Sequence, residues 1–210
     1  ANNTKEWMQA NKKTYKANEL LLKTFYNAIK DGLNATDVID TIKVFRINRD
    51  IRFSKDKTPY NTHRSVSFSR SGEARRGGYY LRIEARKATL AGGFFGPEPA
   101  DLMRIRKEFE MDSTEIRAIL NAPKFKNTFG GFNQEYAVKT APKGFSKDHP
   151  DIDLIKLKSF FVTCTFNEAD VLAPNFVEKV VSHFELLRPF FDYMSHVLTT
   201  DLNGVSLLKD

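Results

Sequence analysis

Hydrophobic positions fall into two long helical repeats that bracket a run of short alternating segments. Near the start, Trp7, Leu21, Leu22, Phe25, Tyr26 and Ile29 recur at helical intervals. Asn2, Asn3 or Thr4 can cap this stretch and Gly32 follows it, so the pattern predicts one amphipathic helix over 4–30. Near the end, Val177, Val180, Val181, Phe184, Leu187, Phe191, Met194 and Leu198 predict a core-facing helix over about 174–199. Pro189 lies inside it and should kink or divide it, because proline removes an N–H and crowds the preceding turn.

Between these repeats the period changes to two. Residues 34–41 read as a connection and 43–48 as a first strand; in 65–70, Val66 and Phe68 alternate with Ser65, Ser67 and Ser69. The clearest strand covers 79–86, with Tyr79, Leu81, Ile83 and Ala85 on the buried face and Tyr80, Arg82, Glu84 and Arg86 opposite. Residues 87–95 then return as its hairpin partner. Pro97-Glu98-Pro99 opens a helix through Phe109, and Asp112 with Glu115 has capping-box spacing before a short helix over 116–120. Residues 121–133 read as a loop, and 135–140 and 158–166 as further strands. The whole predicts an α+β fold in one domain over 1–210, a mainly antiparallel sheet packed by long N- and C-terminal helices.

Composition sharpens this picture only a little. Hydrophobic residues at 41% and charged residues at 28% exclude a disordered chain, and 18 Phe against one Trp predict a phenylalanine-rich core. Cys164 is alone, so no internal disulfide forms; a reducing cytoplasm fits this, and no apolar run is long enough to cross a bilayer. Cys164 shares a strand face with Phe160, Val162 and Phe166 and reads as a small buried side chain.

Charge changes the picture more. The net charge is +7, but residues 43–87 hold 13 Lys and Arg against 4 Asp and Glu, leaving 20 basic and 22 acidic residues elsewhere. The basic excess is therefore local, and a local excess concentrates an anionic partner. Its densest part is Arg49 to Tyr60, with Arg49, Arg52, Lys55 and Lys57 against Asp50 and Asp56, together with Ser54, Thr58 and Tyr60. Guanidinium forks, ammonium groups and hydroxyls are the donors an oxyanion needs. The alternative is a solvated loop in which the two aspartates pair with neighbouring cations at little net energy.

The same residues carry a family resemblance. Phe45-Arg46-Ile47-Asn48-Arg49-Asp50 and the following stretch to Pro59-Tyr60 resemble the signature of a bacterial family labelled domain of unknown function 2461. The likeness continues through Gly77 to Glu84, Gly92-Gly93, Pro97-Glu98-Pro99, Pro142 to Phe145 with His149-Pro150, and Leu187-Arg188-Pro189. It implies one compact domain and brings no activity, cofactor or catalytic residue with it. The chain departs from the family pattern at Asn61, where a basic residue is expected, at Ala85 in place of proline, and at Ala91, which precedes two glycines rather than completing three.

The remaining chemistry is sparse. Gly92-Gly93 fits a bulge or tight bend better than a close ligand approach, and neither a dinucleotide nor a P-loop motif is present. His63, His149, His183 and His196 have no spacing that would seat a metal. His63 is a candidate proton carrier, and Glu84 with Glu98 would form an acid–base pair if hairpin and turn converged. The leading expectation is a small anionic ligand held by Arg49, Arg52, Ser54, Lys55, Lys57 and Tyr60 against Arg82 of the strand face. The alternatives are nucleic-acid binding through 43–87, with Phe53, Tyr79 and Tyr80 as stacking platforms, or a protein-interaction module.

Overall fold

The computed structural model of the chain describes residues 2–208. Strands form at β1 (Ile39–Val44), β2 (Arg64–Arg70), β3 (Gly78–Glu84), β4 (Lys87–Phe94) and β5 (Phe160–Asn167). They lie in that order in one sheet, every neighbour antiparallel, so the first four strands are a meander. Ala85-Arg86 closes the β3–β4 hairpin, and Arg86 takes the left-handed φ of 69° that a tight hairpin turn demands.

The described helices are α1 (Lys5–Ala10), α2 (Lys12–Leu33), α3 (Pro99–Met111), α4 (Thr114–Asn121), α5 (Pro123–Phe129), α6 (Ile152–Ile155), α7 (Glu168–Leu172), α8 (Phe176–Glu185) and α9 (Arg188–Thr199). The alternation read in the sequence puts Val66, Phe68, Tyr79, Leu81, Leu90 and Val162 on one sheet face, all buried. Tyr26, Ile29 and Leu33 of α2, Phe184 of α8 and Phe191 of α9 join them in one core. Aromatic contacts tie sheet to helices: Tyr79 lies 4.9 Å from Phe184 and 5.0 Å from Phe191, centroid to centroid. Each such buried ring contributes about 1.5–3 kcal/mol of transfer free energy.

Gly92 and Gly93 are explained by this packing. A Cβ on Gly92 would stand 2.2 Å from Leu187 Cδ1, and one on Gly93, whose φ is 145°, would stand 2.2 Å from the Phe160 carbonyl oxygen. The pair lets a helix junction and a neighbouring strand approach the backbone, which leaves no space there for a ligand.

Several expected boundaries move. The helix expected over 4–30 is two, broken at Asn11; Thr4 caps the first, accepting from Trp7 N–H at 3.2 Å. The first strand occupies 39–44 rather than 43–48: Ile39 is the buried end of its pattern, and Phe45, beyond Val44, keeps a last bond to β2, its N–H donating to Ser65 O at 2.9 Å. Beyond it, Ile47 is buried and Asn48 forms an isolated bridge with Tyr60. Residues 121–133 contain α5, started by Pro123 and stopped by Gly130 at φ 75°, both helix-boundary signals. No strand forms over 135–140; Val138 N–H donates instead to Lys156 O at 2.9 Å. The Asp112–Glu115 capping box is also absent, since Asp112 accepts from Thr114 N–H and the cap position is Ser113. The last long repeat is divided into α8 and α9, with Pro189 in the first turn of α9, where its missing N–H costs nothing.

Candidate functional site on the uncovered sheet face

The polar half of each strand's alternation faces away from the core. The registers place Ser65, Arg82, Thr89 and Thr165 in one row across β2 to β5, and Lys43, Ser67, Tyr80, Ala91 and Thr163 in the next. No described helix is packed over these rows, and most of their side chains are half-buried or exposed. An antiparallel sheet tolerates one wet face, and here that face is lined by hydroxyls.

At its β1–β2 end a pocket of about 330 Å³ is lined by Phe45, Arg46, Asn61, His63, Ser65 and Tyr80. The Tyr80 hydroxyl donates to Ser65 Oγ at 2.9 Å, which leans the ring along the sheet, and the Phe45 ring meets it edge-on at 5.9 Å. Arg46 is exposed and has no hydrogen-bond or carboxylate partner among the described residues. Arg82, one row along, donates from Nη2 to Glu84 at 2.8 Å, while its Nε is buried without a partner. Glu84 is also 3.6 Å from Lys87 Nζ. Burial lowers the pKa of His63, and the Arg82 and Arg64 cations lower it further against the opposing pull of Glu84, which favours the neutral imidazole overall. The pocket thus offers an unpaired cation, an imidazole and two aromatic walls.

The residues of 49–60 do not line this pocket. Arg49 donates to Asp56 at 2.5 Å, to Thr58 O at 3.0 Å and to the Thr58 hydroxyl. Arg52 forms a fork with Asp50, closest at 2.7 Å, and its side chain is 76% exposed. Lys57 Nζ donates to Ile51 O at 3.0 Å. The Asp56 carboxyl is held at about 2 by the Thr58 N–H, the Thr58 hydroxyl and Arg49. Ser54 is half-buried with its N–H on Ile51 O, and Lys55 extends into solvent. Tyr60 is half-buried, and Asn3 grips its backbone through both its amide N–H, at 2.8 Å, and its amide oxygen, at 3.2 Å. Three of the loop's four cations are therefore satisfied by the loop itself, as the solvated-loop alternative requires. Of the anticipated residues, His63 and Tyr80 line the pocket, while Arg82 and Glu84 pair with each other outside its lining. Tyr79, taken as a stacking platform, is buried in the core, and Glu98 is exposed at the start of α3.

Sequence reasoning missed a second cluster, beneath the sheet. The Asp37 carboxylate accepts from Tyr79 Oη at 2.6 Å, Arg70 Nε at 2.8 Å and Val38 N–H at 2.8 Å. Arg70 also donates to Arg76 O at 2.9 Å and to Asp192 at 3.1 Å, while Arg188 stands 3.5 Å from Asp37 and donates to Thr36 O. Ser195 Oγ accepts from Arg76 N–H at 2.9 Å. The Asp37 and Arg70 side chains are each 1% exposed. Burial works to raise the Asp37 pKa, but the bonds from Tyr79, Val38 and Arg70 outweigh it and the pKa is lowered. Burial and the Asp37 bond push the Tyr79 pKa up, so its phenol stays neutral. This cluster fastens the start of β1 to β2, β3 and α9. Of its residues, Tyr79 and Arg188 lie in stretches that carry the family resemblance.

Other candidates are structural. Burial raises the Cys164 thiol pKa, which removes the thiolate a nucleophile needs. His149 bridges Asp151 N–H and Glu110 O, and His183 bonds Lys179 O within its own helix. Among the described residues no group of three His, Cys, Asp or Glu is placed to hold a metal, and no helix is long and apolar enough to cross a membrane.

A family model described as "Conserved hypothetical protein (DUF2461)" matches residues 1–193. No curated protein matches the chain.

Proposed function

The chain belongs to the DUF2461 family of conserved hypothetical proteins, and from that premise we propose that its uncovered sheet face binds a small anionic, phosphorylated molecule. The observation that carries this reading is Arg46, an unpartnered guanidinium on the rim of a pocket walled by Tyr80 and Phe45. A phosphate oxygen answers the fork of Arg46 and the donors of Asn61, and the planar part of the ligand lies along the tyrosine ring. Arg82 adds positive potential from the next row, since Glu84 offsets it only in part and shares its charge with Lys87. His63 gives the site a pH dependence. A bound anion favours the imidazolium, so affinity rises as pH falls from 7 toward 5. Any turnover would draw on His63 as the neutral base, because Glu84 is engaged by its cations.

Calorimetric titration with adenosine monophosphate tests this. Binding should be lost or weakened about ten- to a hundredfold by Arg46→Ala, the size of a lost charged hydrogen bond, and retained by Arg52→Ala. Equal weakening by both substitutions, or loss confined to Arg52→Ala, returns the anion site to the 49–60 loop.

A further inference from the structure

The pocket is one end of a longer surface. Phe95, Tyr136 and Phe161 cluster at the far end of the same face, with centroids 5.3 Å apart for Phe95–Tyr136 and Phe95–Phe161 and 6.0 Å for Tyr136–Phe161. Phe95 is 68% exposed and Tyr136 39%, which is costly for aromatic rings with no partner to cover them. Phe161 shares β5 and its outward side with Thr163, which pairs through Ala91 to Tyr80. The two aromatic groups therefore sit two strands apart on one surface, with neighbouring strands about 4.8 Å from each other. Between and beside them lie the hydroxyls of Ser67, Thr89, Thr163 and Thr165 and the cations Lys43 and Arg82. The two rows hold no carboxylate, and Glu84, beyond Arg82 opposite Lys87, is paired.

We infer that the ligand of this face is a single-stranded nucleic acid laid across β1 to β5, with one base on Tyr80, a later base on the Phe95–Tyr136–Phe161 cluster, and backbone phosphates on Arg46, Arg82 and Lys43. The inference rests on the pocket reading above and names its ligand class. Separated π faces joined by a cationic, hydroxyl-bearing surface are what a flexible polyanion with a regular series of planar groups requires. A neutral glycan leaves the cations unanswered, and an acidic peptide leaves the aromatic cluster uncovered. A duplex presents no free base faces to stack.

Fluorescence anisotropy with a labelled oligothymidylate of about twelve nucleotides, within the range of site sizes such surfaces take, tests the inference beside calorimetry with thymidine monophosphate. The oligonucleotide is expected to bind at least about tenfold more tightly than the mononucleotide, since each added stacked base contributes of that order. Phe95→Ser, at a position 68% exposed, should weaken the oligonucleotide by about fivefold or more and leave the mononucleotide unchanged. Arg46→Ala should weaken both and make the salt slope shallower by about 0.7, one phosphate contact on a single strand. If the mononucleotide binds and remains sensitive to Arg46→Ala while the oligonucleotide gains nothing, the strand inference fails and the pocket reading stands. If neither binds, both fail. Equal binding of duplex and single strand overturns the base-stacking part, and with it the inference.

Discussion

Asp37–Arg70 and Asp50–Arg52 are the same chemical pair in opposite surroundings. Both are short carboxylate–guanidinium contacts, 2.8 Å and 2.7 Å, but the first has 1% of each side chain exposed and the second more than half. In the first, the side-chain partners come from distant parts of the chain: Tyr79 from β3, Arg70 from β2, Arg188 and Asp192 from α9. In the second, the partner is two residues away. Water screens the exposed pair and holds its charges just as well when the pair is broken. The buried pair has no such alternative, so removing one member strands the other. A charge-dense sequence therefore says little about where charge matters; the surroundings decide.

The comparison is broken most forcefully at Asp37. Asp37→Ala leaves Arg70 buried without its carboxylate and should destabilise the fold by about 3–5 kcal/mol, lowering Tm by about 10 °C in a thermal melt. A cost no larger than that of a surface substitution would mean that water or Asp192 replaces Asp37, and the contrast would collapse.

A pH titration sharpens the same point at smaller amplitude. The folded-state pKa of Asp37 lies below its ordinary value of 3.8, so its contribution is present above that value and is lost as pH falls through the depressed pKa. Denaturation curves between pH 5 and pH 2 should show stability falling in the parent. In Asp37→Asn, which starts less stable, that acid-dependent loss should be smaller.

At the low end stands Arg52→Ala. Among the described residues its side chain bonds to Asp50 alone and lies over the Phe53 ring, and it is 76% exposed, so Tm should not change measurably. A substantial drop would show that the 49–60 loop is a structural element rather than a solvated one.

How much of this the sequence discloses follows from the range of the forces involved. The strand faces of β2 and β3 were legible because alternation is local: Phe68 and Leu81 point inward and Ser67 and Arg82 outward, as a period of two requires. Ile83 is only half-buried because it approaches the hairpin end of the sheet. The division of the last helix was legible from Pro189. The break at Asn11 was not, since asparagine there interrupts no hydrophobic spacing. α5 was hidden by its Pro and Gly, which mark helix ends as readily as loops. The pocket was legible only in part: its lining residues Phe45, Arg46, Asn61, His63, Ser65 and Tyr80 fall within the basic stretch 43–87, but Arg82 and Glu84 do not line it. Local density drew attention to Arg49 and Arg52, although density near aspartates is the condition for self-pairing. Arg46, with no carboxylate partner among the described residues, stood out only once the fold placed it on the same pocket as Tyr80. The Asp37 cluster joins residues as far as 155 positions apart between Asp37 and Asp192, and no spacing rule reaches that distance.

The central claim is that the anion site lies on the uncovered sheet face and not in the charge-rich loop. Titration of adenosine monophosphate into isotope-labelled protein, followed through backbone amide resonances, tests it most directly. Shifts concentrated at 45–46, 61–65 and 80–82, with 49–58 still, are the predicted result; shifts concentrated at 49–58 with the strand face unmoved would contradict it.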